Sequence, residues 1–243
     1  MSKPILVHGH TGGPNPWKVV MMLEELKLPY EIKFWDFSEL HKDPYEQKNP
    51  NGRTPTIEDP NTGITLWESG AIIEYLVETY DKDSTFTYTT SPNKYLLKQW
   101  LHFQMSGQGT SSPAHPSTSP HITNHPILGP YFGQKMWFTY YHSEKLPSAI
   151  DRYAAEIKRV IGVVDMHLKR AGTPYLVGDK FTYADLAFVP WFNAVPWALQ
   201  QPDVEKEFEK EYPAYFAWWT KVRNRPAVKK TLDDQLEAIK KSS

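Results

Sequence analysis

The strongest constraint on this chain is a change of hydrophobic period about a third of the way along it. The first eighty residues alternate between strand-like and helix-like patterns, and everything after about residue 92 reads as helix. Pro4 to His8 is a short apolar run, read as a strand, and His10 to Pro14 is turn chemistry. A helical pattern runs from Asn15 to about Leu28, with Val19, Val20, Leu23 and Leu26 on one side and Lys18, Glu24 and Glu25 elsewhere. Tyr30 to Phe37 alternates like a half-buried strand, and a short polar helix follows from Ser38. Thr56–Glu58 and Thr65–Trp67 read as brief strands joined through Asp59-Pro60-Asn61-Thr62-Gly63, a loop rich in turn formers. A helix then runs from Ser69 to Tyr80.

The order β-α-β-(α)-β-β-α is a thioredoxin-like arrangement, and its βαβ crossover should be right-handed. Residues 83–92 are polar, lack periodicity and read as a linker. Helices are expected at Asn93–Gln108, Tyr131–Tyr141, Pro147–Arg170, Tyr183 to about Leu199, Val204–Glu211, Pro213–Arg225 and Leu232–Lys240. The expected fold is therefore α/β plus all-α: residues 1–82 a thioredoxin-like domain and residues 93–243 a helical bundle. The helix at Tyr183 has a full start signal, with Thr182 as N-cap, Asp185 at the third position, and Phe181 and Leu186 as a hydrophobic staple. Asp185 is read as structural.

Composition removes several functions. The 243 residues carry a net charge of −1, with Lys and Arg dispersed, so no footprint for nucleic acid or an anionic membrane stands out. No stretch is apolar enough to span a bilayer, and the start lacks the apolar run of a signal peptide, which makes the cytoplasm the expected location. There is no cysteine, so disulfides, thiolate ligands and a protein thiol nucleophile are excluded. No metal site is expected. Aromatic residues make up 14%, including nine Trp, which favours a well-packed core and an apolar cleft.

Three segments, in this order and separation, carry a family resemblance: Asn49-Pro50-Asn51-Gly52-Arg53-Thr54-Pro55, Trp67-Glu68-Ser69-Gly70-Ala71-Ile72, and Phe181-Thr182-Tyr183-Ala184-Asp185. Together they resemble the cytosolic glutathione transferases. Pro14-Asn15-Pro16-Trp17-Lys18-Val19 resembles the fungal nitrogen-regulator-like branch and its bacterial disulfide-reductase relatives. The similarity covers nearly the whole chain except residues 110–129. It implies glutathione as co-substrate with no resident cofactor, an electrophilic small molecule as second substrate, and a homodimer, without nucleic acid or membrane partners.

The resemblance also implies roles. Pro55 would follow a cis bond, which is cheap only before proline, and the main chain of Thr54 would meet the cysteinyl backbone of glutathione. Ser69, as a helix N-cap, and Glu68 would receive the carboxylate and ammonium of the γ-glutamyl end. His41 would approach the glycine carboxylate, which Arg53 could also serve.

With no cysteine in the chain, the reacting thiol must come from the substrate. A thiol of pKa about 8.5 is little ionised at neutral pH, and lowering that by about two units takes roughly 2.7 kcal/mol of preferential anion stabilisation. N–H groups at the start of the first helix, with the positive end of its dipole behind them, can supply it. Asn15 adds a side-chain N–H without adding charge. The branch resemblance favours Asn15 first and Thr11 second, with His10 a lesser candidate. The expected reaction is attack by glutathione thiolate on an electrophilic carbon. Disulfide exchange and peroxide reduction are open to the same sulfur, and a non-catalytic regulatory or binding role is the third alternative. Trp17, Phe103, Tyr131 and Trp137, with Phe132 and Trp191, are candidates to line the second-substrate pocket.

Residues 110–129 break the pattern. They hold four prolines among Ser, Thr and His, cannot continue a helix, and read as an inserted loop or as translated intron. Without them, Ser106-Gly107-Gln108-Gly109 joins Pro130-Tyr131-Phe132 in a kinked helix.

Overall fold

The computed structural model describes residues 2–108 and 130–242. The anomalous segment 110–129 lies outside the described residues.

The chain divides into two compact units: residues 2–87 with residues 223–242, and residues 88–222. The first holds a four-stranded sheet in the order β2-β1-β3-β4, built from β1 (Ile5–Gly9), β2 (Tyr30–Phe34), β3 (Thr56–Asp59) and β4 (Ile64–Trp67). β1 pairs parallel with β2 and antiparallel with β3, and β3 pairs antiparallel with β4. The parallel pair requires a crossover, supplied by α1 (Pro14–Glu25). The antiparallel pair closes through the Asp59–Gly63 turn, where Gly63 takes φ +79°. Asp59 is buried and accepts from Asn61 N–H (2.8 Å), Tyr75 OH (2.7 Å) and Tyr80 OH (2.5 Å), which ties this turn to α2 (Ser69–Tyr80). The short polar helix expected from Ser38 is a single 3₁₀ turn, Phe37–Glu39.

The last helix, α10 (Pro226–Ser242), begins six residues before the expected Leu232, because Pro226 sits at its first position, where proline's fixed φ suits a helix start. It packs along α1 in the first unit rather than with the other helices. Arg225 forks onto Glu25 (2.7 and 2.9 Å) and Lys230 reaches Glu24 (2.6 Å). The sequence division had placed residues 223–243 in the helical domain.

The second unit is helical: α3 (Asn93–Phe103), α4 (Pro130–Met136), α5 (Pro147–Ala171), α6 (Tyr183–Asn193), α7 (Val195–Ala198), α8 (Val204–Glu211) and α9 (Pro213–Arg223). Two π-helical turns, Gln104–Gln108 and Trp137–Tyr141, continue α3 and α4. α4 packs against the first of these turns, so the two flanks of residues 109–129 lie together. The single helix expected from Tyr183 to about Leu199 is broken at Ala194, with Pro196 in the first turn of α7. Phe188 and Phe192 stack at 5.5 Å in the core of this unit, beside Trp218.

Candidate functional site

Strand register brings the predicted residues to one end of the sheet. Gly9, the last residue of β1, pairs with Phe34, the last of β2. His8 pairs with Thr56, the first residue of β3, and Thr56 pairs with Trp67, the last of β4. The 10–13 turn, the 35–54 stretch with His41 and Arg53, the Thr54–Pro55 bond and Glu68–Ser69 therefore all leave the sheet from the same edge. The spacing along the sequence did not reveal this convergence, because register is a pairing property.

His8 anchors that edge from below. Its Nδ1 accepts from Trp35 Nε1–H (2.9 Å), which leaves Nε2 to carry the proton given to Glu58 (2.7 Å). Glu58 also meets Lys48 at 2.9 Å. Burial lowers the His8 pKa, with Glu58 opposing the shift. Trp35, Leu40 and Tyr45 form a small core around this pair.

The first turn is held by its own atoms. His10 stacks on Phe37 at 3.7 Å, its Nδ1 accepts from Gly12 N–H (3.2 Å), and its carbonyl accepts from Gly13 N–H (3.3 Å). Trp17 Nε1–H donates to the Thr11 carbonyl (2.9 Å). Trp17 is 2% exposed and packs near Phe34, so it braces the turn as a core residue. Gly13 is the N-cap of α1 and offers no side-chain cap. Pro14 and Pro16 have no N–H, and that of Gly13 goes to the His10 carbonyl, so Asn15 carries the remaining main-chain N–H of the first turn. Asn15 is the second residue of the helix, not its cap, and is half-buried. Thr11 Oγ1 lies 3.1 Å from Ser242 Oγ at the end of α10.

The second turn is built by Asn49, which is buried and donates to the Arg53 carbonyl (2.6 Å) and to Thr56 Oγ1 (3.2 Å). Its Oδ1 accepts from Asn51 N–H (3.0 Å). Tyr45 OH donates to the same Arg53 carbonyl at 2.5 Å. The Thr54–Pro55 bond is cis. Gly52 has φ +59°, and a Cβ there would stand 2.2 Å from His41 Nδ1. Only glycine lets the exposed His41 ring lie this close to the 49–55 loop.

The third turn corrects one expectation. Glu68, not Ser69, is the N-cap of α2, and Ser69 is its first residue. Glu68 has φ +71°, a left-handed conformation costing a non-glycine residue on the order of 1 kcal/mol, and such strain gathers at binding sites. Its side chain makes no cap hydrogen bond. Burial lowers the pKa of the Arg53 guanidinium, and the Glu68 carboxylate opposes that shift.

Lys18, assigned by period to the polar side of α1, is wholly buried. Its Nζ lies 3.5 Å from Ser69 Oγ. Burial pulls its pKa down to about 7, against the pull of Glu68. The available signal was its setting, one lysine within the run Trp17–Leu23, all of which is buried.

In the helical unit, Phe103 packs edge-on against Trp100 at 5.5 Å and lies 6.3 Å from Phe188. Tyr131 lies under the Arg159 guanidinium (5.8 Å), and Trp137 beside Tyr141 (6.3 Å). These three are half-buried, whereas Phe132 and Trp191 are core.

Comparison with known proteins agrees with this layout. Residues 12–79 match the model of the glutathione S-transferase N-terminal domain, and residues 132–235 that of the C-terminal domain. The chain belongs to the glutathione S-transferase family. It is 44% identical to the glutathione S-transferase-like protein OpS6 of Beauveria bassiana, over 94% of each chain. The glutathione transferase URE2P6 from Phanerochaete chrysosporium, solved in complex with oxidized glutathione, superposes with a TM-score of 0.83 at 41% identity, covering 97% of this chain and 98% of that one. Protein URE2 of Debaryomyces hansenii is 33% identical over 92% of this chain and 76% of its own length. No helix among the described residues is long and apolar enough to cross a membrane.

Proposed function

We propose that this protein binds glutathione at the shared sheet edge and ionises its thiol for attack on an electrophilic carbon. The observation that carries this reading is the meeting, at one sheet end, of two helix starts without side-chain caps, those of α1 and α2. Each is a ready site for an anion: a thiolate at α1 and a carboxylate at α2.

In this reading Asn15 donates N–H to the sulfur, with Thr11 the second candidate for that role. The Thr54 main chain, turned outward by the bond to Pro55, meets the cysteinyl backbone. Ser69 takes the α-carboxylate and Glu68 the α-ammonium, while His41 and Arg53 serve the glycine carboxylate. The thiolate forms a carbon–sulfur bond, the leaving group departs with its electron pair, and the thiol proton goes to solvent. The aromatic surfaces of Phe103, Tyr131 and Trp137 suit an apolar electrophile. Trp17 supports the turn rather than touching that substrate. Glutathione acts as co-substrate with no resident cofactor, in a cytoplasmic homodimer engaged in detoxification.

Two observations favour other uses of the same site. The similarity to URE2P6, solved with oxidized glutathione, supports disulfide or peroxide reduction. The similarity to Protein URE2 supports a regulatory protein that binds glutathione without turnover. A glutathione titration followed by assays with an aryl halide, a hydroxyethyl disulfide and cumene hydroperoxide separates them. Aryl-halide turnover is the expected result. Tight binding without any turnover favours the regulatory role, and absence of binding overturns the site itself.

A further inference from the structure

The residues assigned to glutathione leave one buried titratable group without a task. His8, on β1, is 1% exposed, and Gly9 alone separates it from the 10–13 turn. Its two ring nitrogens have opposite duties. Nδ1 accepts from Trp35 Nε1–H (2.9 Å), and Nε2 carries the proton given to Glu58 (2.7 Å). Only the neutral ring with its proton on Nε2 satisfies both contacts. A second proton would go to Nδ1 and set it against the indole N–H, two buried donors with no acceptor between them.

Trp35 connects this ring to the turn. Its main-chain N–H donates to the carbonyl of Gly9, the last residue of β1 (3.0 Å). Two residues on, Phe37 packs against the core of Trp35, Leu40 and Tyr45 and stacks on His10 at 3.7 Å. His10 accepts from Gly12 N–H through Nδ1 and from Gly13 N–H through its carbonyl. Moving the Trp35 indole off His8 therefore unsettles both the end of β1 and the ring that holds the turn.

We propose that neutral His8 is a positioning residue for the 10–13 turn, acting through Trp35, and that its protonation releases the turn and weakens glutathione binding in mild acid. The assignment rests on the glutathione reading of the site. The charged groups around the ring are Glu58 on β3, Lys48 in the 35–54 stretch and Lys33 on β2, whose Nζ lies 4.0 Å from the centre of the Trp35 ring. The Tyr45 ring meets His8 edge-on at 6.0 Å. Burial and then the two lysines lower the His8 pKa, whereas Glu58 favours the cation. The folded pKa thus lies below the ordinary histidine value of 6.5. His8 is neutral at pH 7, and its contact with Trp35 is lost as pH falls through the folded pKa.

The test is calorimetric titration of the full-length protein with S-methylglutathione between pH 7 and pH 5. This probe has no thiol, and its carboxylates and ammonium titrate outside that range. The dissociation constant should rise roughly fivefold or more toward pH 5, since only molecules with neutral His8 are competent to bind. His8→Asn keeps an acceptor near the Nδ1 position but does not titrate. It should match wild type at pH 7 and vary by less than about twofold across the range. Trp35→Phe removes the opposing donor, so its profile should also be flat whatever its affinity, which guards against misfolding of the first variant. His8→Leu leaves the indole without its acceptor at every pH and should bind weakly throughout. The indole N–H resonance that disappears in Trp35→Phe should shift with the midpoint of the binding curve. A wild-type affinity that holds to pH 5 overturns the role of His8. So does a fall that persists in His8→Asn, which would place the titration in His10 or His41. Wild-type protein that binds neither S-methylglutathione nor glutathione at pH 7 overturns the glutathione reading instead.

Discussion

Two ways of starting a helix coexist in this chain, and they differ in where the orphan N–H groups go. At α6 the end is closed from within. Thr182 N–H and Oγ1–H both donate to Asp185 Oδ2 (3.0 Å each), and Leu176 N–H (2.9 Å) and Trp218 Nε1–H (2.8 Å) donate to Oδ1. Thr182 and Asp185 are wholly buried. At α1 and α2 the caps are Gly13 and Glu68, neither of which closes its helix with a side chain. A helix end capped by its own residues stabilises the fold. One left uncapped beside a cis X-Pro turn, a strained glutamate and a buried lysine is suited to a ligand anion. The contrast predicts that substitutions at the start of α6 act on stability and those at the first-turn positions Asn15 of α1 and Ser69 of α2 on binding.

Asp185→Ala should have the largest effect. It strands four buried donors around a vanished carboxylate, at a cost of roughly 3–5 kcal/mol. Chemical denaturation should show the loss, while glutathione affinity of the molecules still folded stays unchanged. A comparable fall in affinity would break the division between the two kinds of helix start.

Lys18→Met should act in the opposite direction on stability, gaining roughly 1–4 kcal/mol near pH 6, the range found when buried charges give way to apolar side chains. The sign follows from linkage. The folded pKa, about 7, lies below the ordinary lysine value of 10.5, so between those limits the unfolded chain holds a proton that the folded one does not. Wild-type stability therefore rises with pH across that window. The advantage of Met should be greatest below pH 7 and shrink toward pH 10, as urea titrations at pH 6 and pH 9 would reveal. A pH-independent difference would mean that burial does not lower the pKa of Lys18.

Asn15→Ala should change the thiol, not the fold. Losing one neutral donor to the sulfur should raise the bound thiol pKa by about one unit, about 1.4 kcal/mol, and lower thiolate absorbance near 240 nm at neutral pH. Unfolding should move by less than about 1 kcal/mol, since Gly13 holds the cap position. Unchanged ionisation would transfer the task to Thr11.

Local pattern reveals part of this molecule and long-range packing determines the rest. The span of α2 and the start of α6 were legible because periodicity and capping are encoded within a few residues. The break at Ala194 was not, since Leu186 to Leu199 is apolar almost throughout and gives no phase from which to read an end. Lys18 was misplaced for a related reason. Period alone gives α1 one apolar face, but the sheet, α2 and α10 together cover nearly all of it, and α10 arrives from two hundred positions later in the chain. Tyr45 and Asn49, which build the Arg53 turn, have no motif that announces the role beyond the Asn49-Pro50 junction.

The smallest effect tests whether the turn before α1 depends on that distant helix. Ser242 Oγ donates to the Ile239 carbonyl (2.9 Å) and stands 3.1 Å from Thr11 Oγ1. A hydroxyl has one proton, and that of Ser242 is engaged with Ile239, so Thr11 is the donor in their pair and spends its proton on α10. While this contact holds, Thr11 can only accept, which suits it poorly for stabilising a thiolate and leaves that role to Asn15. Ser242→Ala releases the Thr11 hydroxyl. Both groups are exposed, so stability should change by no more than about 0.5 kcal/mol. The bound thiol pKa should fall slightly, by about 0.3 unit or less, because the released hydroxyl can turn toward the sulfur. A fall in Ser242→Ala that vanishes in Ser242→Ala/Thr11→Val would establish that route. No fall in either would leave Asn15 as the sole side chain acting on the sulfur, and would sharpen the contrast by reducing the open start of α1 to one residue.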